Sequence, residues 1–437
     1  MTYRGKFTLA VISSAIALFA FAPVLVGFLG DVTGYINAQQ PINDPGAQIR
    51  IFESVLQHIQ NDYVDEPDLE KVRNGALRGL ADGLDPYSSY LTAEQVADYR
   101  AGKDSGRAGI GAEFSQVSAY LYLVSVVKDS PADKAGLMPG DVIEYIDTKA
   151  TRDISLYDAV HLVLGDPGTK VKLRVLRSGA KPQTIEVTRS VYSAPDASTE
   201  TRAGVGIVKV YSLDKGKSAS VARAVSSLKS KGVKKIILDL RNVGGGDIEE
   251  AANVANLFIR EGELAKVIGR QNAVIRTYSA DASKHVFDGK AAVLIDLGSA
   301  GAAEVVAAAF LDSKRGDVVG EKSFGAGVEQ DLFTLKGGDG FLLTIAKWAS
   351  PSGNPFLASS RANAGVKPSV EVKRPETPEP VEVEELVEAQ EEEDGIEPPP
   401  VEEPVEEMPS KPAKPGKDIQ LEKAIEILNG KAAAAGA

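Results

Sequence analysis

The sequence predicts an α/β core preceded by a compact β-rich module and a small helical domain. Three patterns carry this expectation. Apolar residues recur at helical spacing from Gln48 to about Asp98, they alternate with period two between Tyr120 and Val187, and from Val205 strand-like and helix-like segments take turns. A chain of 437 residues has room for two or three such units, each burying its own core.

Residues 1–40 come first. Arg4 and Lys6 precede a run from Phe7 to Gly30 without a charge, ended by Asp31. About 20 apolar residues suffice to cross a bilayer, and basic residues hold the near end in the cytoplasm. The run is therefore expected to be a retained membrane anchor, or a signal peptide with Ala38 at its cleavage site, and the body should lie beyond the membrane.

The helical domain is expected over 41–105. Ile51, Val55 and Ile59 share a helical face, Val72, Leu77 and Leu80 continue it after a turn at Glu66 and Pro67, and Thr92 with Glu94 and Gln95 reads as a helix start. Leu84 to Tyr90 is read as a turn rich in short polar side chains, and 101–107 as a hinge.

In the β-rich module, residues 106–190, Tyr120, Tyr122, Val124 and Val126 alternate as in a strand. So do Val171, Leu173 and Val175, then Ile185 and Val187. Ser130 to Leu137 reads as a short helix capped by Ser130, with Pro131 in its first turn and Gly136 at its end; residues 154–164 form a second helix.

The core is expected over 191–371. Strands are read at 206–210, 235–240, 291–295 and 342–347, with helices at 215–231, 247–258 and about 301–314. Such alternation implies crossover connections and an α/β core.

Residues 372–416 are rich in Glu and Pro and lack aromatic residues, so disorder is expected there. In 417–437 the residues Asp418, Leu421, Ala424, Ile425 and Leu428 form a short amphipathic helix, either a frayed tail or a helix docked on the core.

Composition narrows the chemistry. With no cysteine there is no thiolate nucleophile, disulfide or Cys-ligated metal, and His58, His161 and His285 show no metal-binding spacing, so no metal or other cofactor is expected. The net charge of −12 is concentrated in Glu376–Glu407, with fifteen acidic residues and no basic one, leaving about +3 elsewhere and arguing against a nucleic-acid partner.

Several segments together resemble the carboxyl-terminal processing, or tail-specific, serine proteases. Leu84-Asp85-Pro86-Tyr87-Ser88-Ser89-Tyr90-Leu91 is similar to the family's LDPHSSYL turn, with Tyr87 for histidine. Gly109-Ile110-Gly111, Asp129-Ser130-Pro131-Ala132, Ala135-Gly136-Leu137, Pro139-Gly140-Asp141-Val142-Ile143 and Gly165-Asp166-Pro167-Gly168-Thr169 resemble its PDZ domain. Leu238 to Gly245 is similar to DLRNNPGG, with Val243 for a proline, and Gln420-Leu421-Glu422-Lys423-Ala424 to the closing helix.

The resemblance implies an inserted PDZ domain that takes an extended peptide on a strand edge and its terminal carboxylate at Gly109, Ile110 and Gly111. It also implies a periplasmic body in a bacterial envelope, anchored in the inner membrane or released by signal cleavage. The expected partners are protein carboxyl termini, the membrane, and an active relative or a second copy of the chain. Gly244, Gly245 and Gly246 match glycines of the family's oxyanion hole, able to hold an anion or simply to turn the chain.

The reactive positions depart from the pattern. The family's nucleophile motif GSASASEI appears as Gly298-Ser299-Ala300-Gly301-Ala302-Ala303-Glu304-Val305, with Gly301 at the attacking serine. Its TFGKG motif appears as Ser323-Phe324-Gly325-Ala326-Gly327, with Ala326 at the lysine. Glu304, Gly320, Glu321 and Gln330 hold the register on either side. The resemblance thus implies a protease body without its dyad, binding peptides without cutting them. Two readings stand against it: an active endopeptidase using a displaced pair, Ser299 and Lys322, and a purely structural envelope component. Ser299 is read as a helix cap and Lys322 as a solvated charge if neither is catalytic.

Overall fold

The computed structural model describes residues 44–374, except 104, 105, 118 and 179, together with 417–430. The expected anchor and the acidic segment from 375 to 416 lie outside the described residues. Among the described residues no helix is long and apolar enough to cross a membrane.

Residues up to Arg73 form one unit and the chain from Asn74 onward another. The first contains the helix Pro45–Asp62, begun by Asp44, whose carboxylate accepts from the N–H groups of Gly46 and Ala47 at 3.1 and 3.2 Å.

In the second unit the helix Ala93–Arg100 starts with the box read from sequence: Gln95 N–H donates to Thr92 Oγ1 at 3.3 Å, and Thr92 N–H donates to Gln95 Oε1 at 2.9 Å. The preceding turn holds more structure than expected. Ser89–Leu91 is a buried strand, paired antiparallel with Gly340–Ala349 in the register Ser89 opposite Leu342. A strand this short forms only where a partner supplies its hydrogen bonds, and that partner lies some 250 residues away. Three further strands were not anticipated in this sheet, Glu263–Ile268, Val274–Ser279 and Val328–Thr334.

The β-rich module is a sheet in the order Ala112–Val117, Tyr120–Val126, Val142–Ile146, Lys170–Leu176 and Gln183–Thr188, with the helices Pro131–Lys134 and Leu156–Val163. Its core joins Ile110, Leu121, Leu123, Ile143, Ala159, Val171 and Leu173. Ala112–Val117 pairs on one side only, so its other edge is open.

The α/β core is a six-stranded sheet ordered Val370–Glu371, Val318–Gly320, Lys290–Ile295, Lys235–Asp239, Val205–Lys209 and Ser198–Arg202. All neighbours are parallel except the last pair. The inner strands read as continuous apolar runs because both faces are covered. On one face lie the helices Ser218–Ser230, Ile248–Asn256 and Ala302–Asp312. The first begins three residues later than periodicity suggested, because Gly216 adopts φ +89° and Lys217 N–H closes a turn on Asp214.

The other face is covered by the terminal helix Ile419–Leu428, which docks and does not fray. Its Leu421, Ala424, Ile425 and Leu428 are buried against Val205, Ile207, Ile237, Ala292, Leu294 and Val319. Arg241 ties it down with donors to both carboxylate oxygens of Asp418 at 2.9 Å and to Asp239 at 2.8 and 2.9 Å. Disorder expected from residue 372 is corrected by three residues. Val372 N–H donates to Gly320, and Arg374 N–H donates to Glu321 at 2.9 Å.

Candidate active site

The carboxyl ends of the parallel strands Lys235–Asp239, Lys290–Ile295 and Val318–Gly320 release three loops close together, the usual place for a site in such a sheet. Asp296 knits the first two. It is almost wholly buried, and Oδ1 accepts from Asn242 N–H at 2.9 Å and Gly298 N–H at 3.0 Å, while Oδ2 accepts from Arg374 at 3.0 Å. Ala300 and Ala302 N–H groups donate to the carbonyls of Val243 and Gly245, so the glycine loop is bonded directly to the turn into the helix Ala302–Asp312.

Gly301 is the cap residue of that helix, at φ +61° and ψ −110°. A Cβ there would stand 2.9 Å from the Gly245 carbonyl oxygen. Both facts favour glycine, since L side chains rarely adopt positive φ. Ser299 does not act as the helix cap expected of it. Its hydroxyl is fully buried, accepts from Asp296 N–H at 3.0 Å and donates to Leu240 O at 3.0 Å, with Asp296 Oδ1 at 3.3 Å.

Glu304 joins the two segments that hold Gly301 and Ala326. Its carboxylate has no solvent exposure: Oε2 accepts from Gly301 N–H at 2.9 Å and Ala326 N–H at 2.8 Å, and Oε1 accepts from Gly325 N–H at 2.7 Å and the Ser323 hydroxyl at 2.5 Å. Burial pushes its carboxyl up to about 7, against the pull of those donors. Ala326 packs beside a small apolar cluster that includes Tyr122, Val124, Ala300 and Phe324.

Lys322 is not the solvated charge expected. Its ammonium donates to the carbonyls of Arg361 and Ala362 at 2.6 and 3.1 Å, and burial, with the Arg361 cation, holds it below the ordinary lysine range. No hydrogen bond joins Ser299 to Lys322.

The three glycines serve close approach. Gly245 and Gly246 adopt φ +66° and +88°, and a Cβ on Gly244 would meet Ser125 Oγ at 2.3 Å. The anion role read for this loop meets a competitor at the helix Ile248–Asn256: the N–H groups of Glu249 and Glu250 are taken by Asp247 at 2.8 and 3.1 Å. Glu113 lies against Gly244 and Gly245 with its side chain exposed. The protein around it and the Asp214 charge push its carboxyl up to about 7, a shift that solvent access moderates.

The β-rich module sits directly on this site. Asn242 accepts from Val126 N–H and donates to Val126 O, both at 3.0 Å, and Tyr122 stacks on Phe324 with ring centroids 5.6 Å apart. At its peptide-binding turn one expectation is corrected. Gly109 N–H donates to Ser190 O at 3.3 Å in a two-way bridge, so it is not free for a ligand. Gly111 does turn the chain, at φ +79°, where a Cβ would meet Ser130 Cβ at 2.3 Å, and Ile110 anchors the turn in the module's core. The Tyr192 ring lies over both glycines. His161 stacks on Tyr157 at 3.9 Å and bonds its carbonyl through Nδ1, a local role in its helix.

Reading the sequence singled out Glu304 and Asn242 only as fixed points of motifs; Asp296 and Arg361 went unnoticed. Glu304 carried a signal, an acid flanked by apolar residues in a helical pattern, which must find donors when buried.

Residues 122–177 match the signature of a PDZ domain, and residues 204–372 that of peptidase family S41. A probable CtpA-like serine protease of Staphylococcus aureus strain MSSA476 is 32% identical over 359 residues, 80% of this chain and 71% of that protein. The chain belongs to peptidase family S41. A CtpA-like protein of Staphylococcus epidermidis is 31% identical, covering 75% of this chain and 66% of its own length. A solved structure described as the photosystem II D1 C-terminal processing protease superposes with a TM-score of 0.62 at 27% identity, over 74% of this S41 chain and 86% of the other. The fold class read from the sequence is therefore the S41 protease fold with an inserted PDZ domain and an N-terminal helical region.

Proposed function

We propose that this S41 member is an extracytoplasmic pseudoprotease that captures unfolded or carboxyl-terminal peptide segments through its PDZ domain and does not cleave them. One observation carries the reading: the two motif positions that bear the family's nucleophile and base are Gly301 and Ala326, and neither side chain can attack a carbonyl or take a proton. The rival pair is occupied elsewhere, Ser299 with Leu240 and Asp296, Lys322 with two carbonyls. A nucleophile sealed at 0% exposure has no route to a substrate.

Peptide capture needs an open edge and an orienting turn. The strand Ala112–Val117 offers the edge and Gly111 the turn, so an extended segment can add as a further strand. Residues 1–40 hold the protein in the inner membrane, or export it after cleavage, with the body in the periplasm. Pairing with an active relative or a second copy would let a captured terminus be handed on.

The test is to offer the purified protein an unstructured polypeptide with an apolar carboxyl terminus. Binding without cleavage is expected, and the double variant Gly301→Ser, Ala326→Lys should gain measurable hydrolysis. Cleavage by the unaltered protein that disappears in Ser299→Ala would establish the displaced dyad instead. No peptide binding at all would favour a purely structural component.

A further inference from the structure

Arg361 stands in the candidate active site with most of its donor capacity unused among the described residues. Its guanidinium lies over the Phe324 ring at 4.1 Å, and Nη1 donates to the Phe324 carbonyl. Phe324 in turn stacks on Tyr122, so a cation and two rings form one column beside Ala326. This column fixes the plane of the guanidinium. Nε and Nη2, which together form the edge that meets a carboxylate with two parallel hydrogen bonds, donate to no acceptor among the described residues.

The nearby acids do not neutralise it. Glu304 is within electrostatic reach, but its two oxygens are engaged by four donors of their own segments, and no carboxylate among the described residues comes within ion-pair distance of Arg361. Burial disfavours the cation and pushes the guanidinium's affinity for its proton down, and the opposing pull of Tyr122, Glu304 and Tyr87 does not make up the difference. The side chain nonetheless keeps access to solvent, so a ligand can reach it.

We propose that Arg361 makes this cleft a receptor for a peptide carboxylate, taken as a bidentate ion pair on the Nε and Nη2 edge above Phe324. The inference rests on the reading of this protein as one that binds peptides without cutting them, and adds a second contact point to the PDZ groove. A guanidinium cannot act as a base at any physiological pH. The cleft then recognises a charged terminus in place of attacking an amide.

The carboxylate can be a chain terminus or an acidic side chain, and three peptides separate them: an acetylated alanine pentapeptide as the free acid, the same peptide as its carboxyl amide, and that amide with one internal glutamate. Each is titrated into the full chain by calorimetry and by the fluorescence of Trp348, the chain's one tryptophan, whose ring packs on Gly327 next to Ala326. The free acid should bind about 10- to 100-fold more tightly than the amide. Arg361→Gln should bring that ratio near one, and Arg361→Lys should keep part of it. Equal gain from the internal glutamate would also support the receptor and assign it to side chains. A preference for the free acid that survives Arg361→Gln assigns the carboxylate to the PDZ groove and overturns the cleft receptor alone, as does equal binding of acid and amide. Binding of none of the peptides overturns both the receptor and the peptide-capture reading.

Discussion

Gly301 and Ala326 hang from a single atom: Oε2 of Glu304 accepts the N–H of one at 2.9 Å and of the other at 2.8 Å. The two positions that the resemblance aligns with the family's dyad are thus held together by one buried carboxylate. Both contacts use backbone N–H groups, so they do not depend on a polar side chain at 301 or 326.

Glu304→Gln should weaken this frame. An amide can accept on one side only, so its NH2 faces N–H or hydroxyl donors and two buried donors are left unmatched. At about 1–3 kcal/mol for each buried unsatisfied group, a loss of roughly 2–6 kcal/mol is expected. The denaturation midpoint in urea reads it.

The same residue gives the protein a pH signature. Its carboxyl rises from the ordinary 4.5 to about 7 on folding, because burying the charge costs more than its donors return, so stability is greatest below 4.5 and falls as pH rises toward 7. Stability should fall by roughly 3 kcal/mol across that window from this group. Urea titrations at the two ends should show the slope in the unaltered protein and its absence in Glu304→Gln.

Arg241→Met should undock the terminal helix. Burial alone would raise the Asp239 carboxyl, but the Lys209 and Arg241 charges outweigh it and hold it well below the ordinary range. Its contribution is thus present above about 4 and lost as pH falls. Removing Arg241 leaves Asp239 with Lys209 as its remaining counter-ion, 3.3 Å away, and releases Asp418, a loss of up to about 3 kcal/mol. Hydrogen exchange should then quicken across Ile419–Leu428.

Gly301→Ala tests the backbone strain at the helix cap. A side chain at φ +61° with its Cβ against a backbone oxygen should cost about 1–3 kcal/mol, read as a lower thermal midpoint. The serine of the restored double variant carries the same cost, so its hydrolysis should be assayed below that midpoint.

Leu428→Ala should cost about 2–5 kcal/mol, because the leucine is sealed between the terminal helix and the sheet. A change near zero in chemical denaturation would mean that the helix does not hold the core.

Much of this protein was legible along the chain. Thr92 with Gln95, Ser130 before Pro131, and the apolar periods of Val205–Lys209 and Ala302–Asp312 are local signals, set by backbone donors within a turn and by which face is buried. The motifs around Gly301 and Ala326 likewise put both positions in a recognisable frame. Tertiary structure alone decided where each polar atom finds its partner. Ser299 faces Leu240 from 59 residues away, Gly109 closes on Ser190, Ser89 pairs with Leu342, and the guanidinium of Arg361 comes to rest on Phe324. Such pairings join residues that no short window contains, and a buried hydroxyl or carboxylate takes whichever donor or acceptor the packed fold brings within 3 Å.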